Sequence, residues 1–421
     1  MSKNDLDAII EKNKRKKRRK ERRRIKTYRI IYEFFRATLG ARLIKKFNVH
    51  PENLELFEEL DPPYFLISNH NSFWGPFMMA YFVPIPVSYV VSDANFRSLF
   101  VRIFLGFVSA IPKTKVISDL DTIKHIMEIK QRNGVIGLFP EGQNSYDGHS
   151  QPIYYSTAKL LRRSNIPVVF ADKKGTYLTF PRWAKKSRKG EVSISYRLVF
   201  TPEELKTLPV EAIYQKLVTL IDYDAFETQK ERMVSFKGKD LAEYLEIVLF
   251  VCPDCRSLAS LVSNGDILTC TRCGYAVRYT ELCFFEPVKG ELHFRDIRQW
   301  NVWQIEYINT LVSDKISDQN DEPVFQEKEI RLGTGYKSEP MKPAGKGTLS
   351  LYSDRLRFMP RENREMAFFL NKIEGLNMHN EEKLEFYYDD TLFRFDSEHE
   401  RVSLYKWYIF IQAVKSFNKP L

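Results

Sequence analysis

Four of the five cysteines fall into two Cys-x-x-Cys pairs, and this spacing constrains the fold more than any other feature of the 421-residue chain. The pairs are Cys252 with Cys255 and Cys270 with Cys273, separated by fourteen residues. Two such turns suit a tetrahedral site of four thiolates, so the sequence predicts a structural zinc in a zinc ribbon, with iron as the rival metal. Cys283 is left over and is expected to be a core residue.

The net charge of +11 is concentrated at the N-terminus, where residues 1–26 hold thirteen Lys or Arg against four acids. This composition predicts a basic disordered arm. Residues 27–47 follow as an amphipathic helix, which either packs on the protein's own core or lies at a membrane interface. The arm has no interleaved aromatic residues to stack on bases, so nucleic acid is not favoured as a partner.

The most apolar stretches are too short to cross a bilayer. They lie near residues 77–91 and 99–111, and Pro84, Pro86 and Arg102 interrupt them. No transmembrane helix is therefore expected. The paired cysteines and the lack of a secretory signal indicate a reducing compartment. The sequence thus predicts a cytoplasmic protein that binds peripherally to an anionic membrane surface.

Short apolar runs alternate with helical patterns over residues 61–202, which predicts an α/β fold with a mixed sheet flanked by helices. This domain is assigned to residues 48–245, and the zinc ribbon to 246–290. A helix and linker are expected over 291–345. Residues 346–421 are predicted to form a β-rich module closed by a helix. Its pattern resembles pleckstrin-homology or GRAM-type domains, which implies a protein or phosphoinositide partner.

Two polar motifs follow directly on apolar, strand-like runs. The first is Asn69-His70 and the second is Glu141-Gly142. The carboxyl ends of strands are where α/β folds place reactive groups. A histidine at such a position suits a general base, because its pKa lies close to neutrality.

Together these motifs resemble the PlsC-like glycerolipid acyltransferases, the family of the lysophosphatidate and glycerol-3-phosphate acyltransferases. That family carries Asn-His-x4-Asp, an Ile-Pro-x-x-Arg-like block, Phe-Pro-Glu-Gly-Thr-Arg-Ser and a Val/Ile-Pro-Val/Ile block, in this order. The corresponding segments here are Asn69-His70, Ile111–Lys115, Phe139–Gly142 with Ser145, and Ile166–Val169. Four blocks in the family's order make a chance match implausible.

The resemblance implies an enzyme of phospholipid biosynthesis. It would transfer an acyl group from acyl-CoA or acyl-carrier protein to the hydroxyl of a lysophospholipid-like acceptor, 1-acylglycerol-3-phosphate or a similar lipid. His70 would be the catalytic base, and Asn69, Lys115, Glu141 and Gly142 would bind substrate.

The chain departs from the family at the residue that orients the histidine, because Gly75 stands where the family has Asp. Losing such a partner can cost on the order of 10⁴ in rate, judged by the serine-hydrolase triad. The alternative is therefore a catalytically impaired protein of this fold that binds lipid and acts as a scaffold. Asp119, Asp147 and Asp172 are candidates to replace the carboxylate. Lys173 is interpreted as a solvated charge or as part of an anionic headgroup site.

Overall fold

The computed structural model describes residues 29–30, 32–107, 109–113, 120–317, 322–361, 364–379 and 382–418. The predictions for the basic arm, for Lys115 and for Asp119 lie outside the described residues.

The first sheet has seven strands in the order β1-β7-β6-β2-β5-β3-β4. The strands are β1 (Val49–Glu52), β2 (Tyr64–Ile67), β3 (Val87–Ser92), β4 (Ile111–Lys113), β5 (Val135–Leu138), β6 (Val168–Lys174) and β7 (Val192–Phe200). Neighbours are parallel except β6 and β7, which are antiparallel. The predicted mixed sheet is therefore confirmed.

Helices cover both faces of this sheet. They are α1 (Ala41–Lys46), α2 (Leu56–Glu59), α3 (Gly75–Tyr81), α4 (Leu99–Phe107), α5 (Leu120–Gln131), α6 (Tyr155–Ser164), α7 (Thr176–Thr179), α8 (Pro202–Thr207), α9 (Val210–Ile221) and α10 (Ala225–Arg232). Successive strand residues point to opposite faces. Phe65 packs into one core cluster, and its neighbours Tyr64 and Leu66 pack into another. Burial on both sides explains why the central strands β2 and β5 are continuous apolar runs.

The segment before the sheet is helical and packs on the core along only part of its surface. A π-helical turn (Arg36–Gly40) precedes α1. The Tyr32 hydroxyl donates a hydrogen bond to the carbonyl of Ala80 at 2.7 Å, while Ile30 and Phe34 are 61% and 64% exposed. One face of the segment therefore packs on the core as the first alternative has it, and the membrane-interface alternative stays a prediction for the exposed face.

The cysteine-bearing segment forms a second, four-stranded antiparallel sheet in the order β11-β10-β9-β8. Its strands are β8 (Leu261–Asn264), β9 (Ile267–Cys270), β10 (Ala276–Tyr279) and β11 (Phe285–Lys289). The chain turns back after the second cysteine pair at Gly274, whose φ of +78° favours glycine. The leftover Cys283 is buried, as expected of a core residue.

A long helix, α11 (Ile297–Ser317), leads to a third sheet of seven antiparallel strands, in the order β15-β14-β13-β12-β18-β17-β16. The strands are β12 (Phe325–Gly335), β13 (Lys342–Leu351), β14 (Arg355–Pro360), β15 (Met366–Phe369), β16 (Glu374–His379), β17 (Lys383–Tyr388) and β18 (Thr391–Ser397). Helix α12 (Leu404–Phe417) follows them. A β-rich C-terminal module with a closing helix is thus confirmed.

This module begins at Phe325, inside the stretch that composition predicts to be linker. Strand β12 pairs with β13 on one side and β18 on the other. A bulge between Glu327 and Ile330 breaks its register, and Glu329 there has a φ of +63°. An extra residue shifts the period-two alternation from which a strand is recognised, so the sequence pattern missed β12.

Candidate functional site

The two polar motifs lie at the carboxyl ends of β2 and β5, two neighbouring strands inside the first sheet. Strands β2 and β5 are parallel neighbours, and Ile67 is paired with Leu138 near their carboxyl ends. His70 and Glu141 each follow three residues later, so the sheet brings their loops together. The backbone N–H of His70 donates a hydrogen bond to Oε1 of Glu141 at 2.5 Å.

Glu141 joins three segments of backbone. Its second oxygen, Oε2, accepts a hydrogen bond from the backbone N–H of Gln151 at 2.6 Å. The backbone N–H of Ser145 also donates to the carbonyl of His70 at 2.8 Å. Glu141 is 2% exposed, and burial raises its pKa to about 7, against the hydrogen bonds from Gln151 and His70 that lower it. Both carboxylate oxygens therefore accept from the backbone, and the side chain joins the loops of the two motifs.

The other residues of the two motifs lie around Glu141 and the backbone groups that it binds. The half-buried ring of His70 stacks on Phe139, with 4.3 Å between ring centres, and its Nδ1 atom is buried. Asn69 is 1% exposed, and its amide atoms have no hydrogen-bond partner among the described residues. Gly142 is exposed with a φ of +69°, and a Cβ atom there would lie 3.0 Å from the ring of Tyr154. Buried amides without partners are rare in folded proteins, which marks Asn69 as a candidate ligand contact.

Comparison with known proteins agrees with this placement. The family model for Acyltransferase matches residues 46–170, the part of the chain that holds both loops. Over these residues, which we refer to as the acyltransferase domain, the chain is similar to that family. The crystal structure of the 1-acyl-sn-glycerophosphate (LPA) acyltransferase PlsC from Thermotoga maritima is similar at 15% identity and a TM-score of 0.38, over 48% of this chain and 83% of that one. The search of curated proteins found no match.

The acyltransferase domain has a lysine amine next to the position of the missing carboxylate. Gly75 is buried and is the first residue of α3, with Trp74 rather than Gly75 as the N-cap. A Cβ atom placed on Gly75 would lie 2.7 Å from Nζ of Lys173. A side chain at 75 would therefore meet this amine before any other described heavy atom.

Lys173 is fully buried, so its interpretation as a solvated charge is wrong. Its Nζ lies 5.0 Å from the centre of the Phe139 ring and has no hydrogen-bond partner among the described residues. Burial lowers the pKa of Lys173 to about 7, and the nearby carboxylates of Glu141 and Asp172 act in the opposite direction.

A sequence signal for this burial was present. Along β6, Val169, Ala171 and Lys173 share one face and are all buried, while Asp172 and Lys174 on the other face are more exposed. Residues two apart on a strand share a face. The lysine therefore continues an apolar face into the site, although its charge suggested a surface position.

The described carboxylates that are candidates to replace the missing Asp are placed differently. Asp147 is 2% exposed and accepts hydrogen bonds from Arg298 Nη1 at 2.8 Å and Asn301 Nδ2 at 2.7 Å. Its carboxylate therefore anchors the loop after Glu141 to α11. Asp172 is half-buried and adjoins Lys173 on β6, with its side chain on the other face of the strand.

The C-terminal module contacts the same loop. Arg182 donates one hydrogen bond to the carbonyl of Asn144 at 2.9 Å and another to the carbonyl of Met378, on β16, at 3.2 Å. Tyr146 stacks on Tyr405 of α12, with ring centres 4.3 Å apart. The segment after Glu141 is thus held by parts of the chain outside the acyltransferase domain.

The four paired cysteines converge on one point. Their sulfur atoms all lie within 4.8 Å of one another. Cys252 is 3.7 Å from Cys273, and Cys255 is 3.7 Å from Cys270. Sulfurs at 2.3 Å around a tetrahedral zinc are about 3.8 Å apart, so the donors and their spacing fit this metal.

Apolar side chains are exposed near the acyltransferase site and on α4. Phe73, three residues after His70, is 56% exposed. On α4, Leu99 and Ile103 are 62% and 52% exposed, with exposed Arg102 beside them. Among the helices of the described residues, none combines the length and hydropathy needed to cross a bilayer.

Proposed function

We propose that this protein transfers an acyl group from acyl-CoA or acyl-carrier protein to the hydroxyl of a lysophospholipid-like acceptor, in phospholipid biosynthesis. The observation that carries the proposal is the hydrogen bond from the backbone of His70 to Glu141. It fixes the two motif loops of the acyltransferase domain against each other. Holding a base and two substrates in one geometry supplies much of the rate advantage in such a reaction.

His70 is the proposed general base. Its imidazole removes the proton from the acceptor hydroxyl, and the oxygen attacks the carbonyl carbon of the acyl thioester. A carbon–oxygen bond forms, the carbon–sulfur bond breaks, and the leaving thiolate takes the proton back from His70. Asn69 and Gly142, beside the base, are proposed to contact polar groups of the substrates. Lys115 keeps the phosphate-binding role that the family resemblance implies.

The acceptor is a lipid, and we propose that the protein meets it at an anionic membrane surface. Phe73 and the exposed side chains of α4 supply apolar area for insertion below the headgroups. Arg102 and the basic arm supply the attraction to anionic lipid. Because Phe73 follows His70 so closely, its insertion would bring the base to the depth of the acceptor hydroxyl.

For the cysteine-bearing segment and the C-terminal module, the proposal keeps the functions that the sequence predicts. The four thiolates are proposed to hold a structural zinc that stabilises the ribbon. The C-terminal module is proposed to bind a protein or lipid partner.

The test is the formation of acylated product from lysophosphatidate and acyl-CoA, measured by mass spectrometry. We expect the native protein to form product and His70→Ala to lose this activity. His125→Ala is the matched control, because His125 is an exposed histidine on α5. Equal activity in all three proteins would contradict the role of His70.

A second candidate is a lipid-binding scaffold on an inactive acyltransferase fold. The observation in its favour is that Gly75 supplies no carboxylate and that an amine lies beside it. A native protein that binds phospholipid vesicles, yet forms no product with acyl-CoA or acyl-carrier protein, would establish this alternative.

A further inference from the structure

The amine of Lys173 lies next to the space of the missing dyad side chain. It reaches this point from β6, the strand paired with β2 on the side opposite β5. A Cβ atom on Gly75 would be 2.7 Å from Nζ, which is closer than the van der Waals separation of the two atoms. A side chain at 75 and the present position of Nζ therefore exclude each other. Glycine at 75 is what allows the lysine to extend this far.

The amine and His70 pack against the same aromatic ring. Lys173 Nζ is 5.0 Å from the centre of the Phe139 ring, and His70 stacks on that ring at 4.3 Å. The Nδ1 atom of His70 is buried. In the family that the domain resembles, the aspartate in place of Gly75 orients the imidazole. A polar group beside this position is suited to the same task.

We propose that Lys173 replaces the dyad carboxylate and acts as the positioning residue for His70. Its amine makes no hydrogen bond to a described residue in this conformation, and a rotation of the side chain would let the neutral amine accept from the Nδ1–H group. This inference rests on the proposed function, because it assigns a role in that site. A bond at Nδ1 selects the tautomer in which Nε2 carries no proton, and Nε2 can then take the proton of the acceptor hydroxyl.

The amine must be uncharged to accept this bond. The titratable groups that act on it are the carboxylates of Glu141 and Asp172, and the imidazole of His70 packs on the same Phe139 ring. Full burial disfavours the ammonium form and brings the pKa of Lys173 to about 7, despite both carboxylates. Turnover should therefore rise with pH through this region, as Lys173 loses its proton.

The decisive measurement is the tautomer of His70, which nitrogen NMR of histidine-labelled full-length protein reports without any need for activity. His70→Gln assigns its signals among the seven histidines. At pH 9 we expect the Nδ1–H form in the native protein and a shift toward Nε2–H in Lys173→Met. Lys174→Met, on the exposed neighbour, should leave the tautomer unchanged. A native protein in the Nε2–H form overturns the inference, and this reading depends on no variant's folding.

Turnover gives a second, independent test. Lys173→Met should lower kcat by about tenfold or more with little change in KM, because a positioning contact is lost and not a binding contact. Gly75→Asp combined with Lys173→Met should restore kcat, since the aspartate regains the space. Gly75→Asp alone should not raise kcat above the native value, because its carboxylate meets the Lys173 amine first. Undiminished kcat in Lys173→Met would overturn the inference.

The two proposals fail in different ways. A Nδ1–H tautomer that depends on Lys173, in a protein without acyl transfer, would remove the proposed function and leave the role of Lys173 intact. Acyl transfer that needs His70 but does not depend on Lys173 would support the proposed function and remove the role of Lys173.

Discussion

Replacing Lys173 by methionine should stabilise the folded protein, by an amount that grows as the pH falls. Methionine is similar in length and volume to the lysine side chain but carries no charge. The packing along β6 is therefore retained while a buried amine is removed. The stability cost of this amine can be worked out from its pKa.

Burial lowers the pKa of Lys173 from 10.5 to about 7. At about 1.4 kcal/mol per pKa unit, the charged form costs on the order of 4 to 5 kcal/mol of folding free energy below pH 7. A lowered pKa means that this cost is absent above pH 10.5, grows as the pH falls, and is complete once the pH is below 7. This pKa already includes the attraction of the amine to Glu141 and Asp172. We therefore expect a net gain of about 4 kcal/mol at pH 6 and about 1 kcal/mol at pH 9.5.

The assay is urea unfolding of native protein, Lys173→Met and Lys174→Met between pH 6 and 9.5, at constant zinc, with midpoint and slope compared at each pH. Lys174 is exposed on the same strand, so its variant should follow the native curve. A gain that is equal at all pH values would show that Lys173 has no depressed pKa. Destabilisation at pH 6 would show that its charge is well compensated. Either result would refute the reasoning.

Two further predictions concern the metal and the membrane. Purified protein should contain about one zinc per chain, and Cys270→Ser should lower the melting temperature of the ribbon, because metal binding and local folding are one equilibrium; folded protein that lacks metal, with all four thiols titratable, would contradict the site. Leu99→Glu with Ile103→Glu should weaken sedimentation with anionic vesicles by about tenfold or more, since each inserted side chain contributes about 1.5 to 3 kcal/mol. Val262→Glu, an exposed apolar position in the ribbon, should change nothing, and equal loss in both proteins would point to non-specific charge effects.

The first sheet and its polar loops follow from local sequence. Strands β2 and β5 are continuous apolar runs, and a polar motif directly after such a run must lie at the strand's end. The parallel order of β2 and β5 then brings His70 and Glu141 together. The cysteine spacing is similarly local, and the four sulfurs converge as expected.

The rest depends on contacts between distant parts of the chain. Nothing near Glu141 indicates that its carboxylate accepts from the backbone of His70. The burial of Lys173 is not predicted from its charge, because a charged side chain favours the surface, although the residue lies on a buried face of β6. The negative charge of Asp147 is neutralised by Arg298, which lies far along the chain, and no local pattern predicts such a pair. Strand β12 is not predicted, because its bulge breaks the alternation of buried and exposed residues from which a strand is recognised.

The anchoring of the loop after Glu141 has a consequence for how this chain can be divided. Asp147 is buried, and the guanidinium that neutralises it belongs to α11. A fragment ending after α10 would keep the carboxylate and lose its cation, and an uncompensated buried charge costs several kcal/mol. It would also uncover Tyr146, which the closing helix now shields. The acyltransferase domain and the tail therefore depend on each other: exchange of the tail for an unrelated one requires a new partner for Asp147 at the same time.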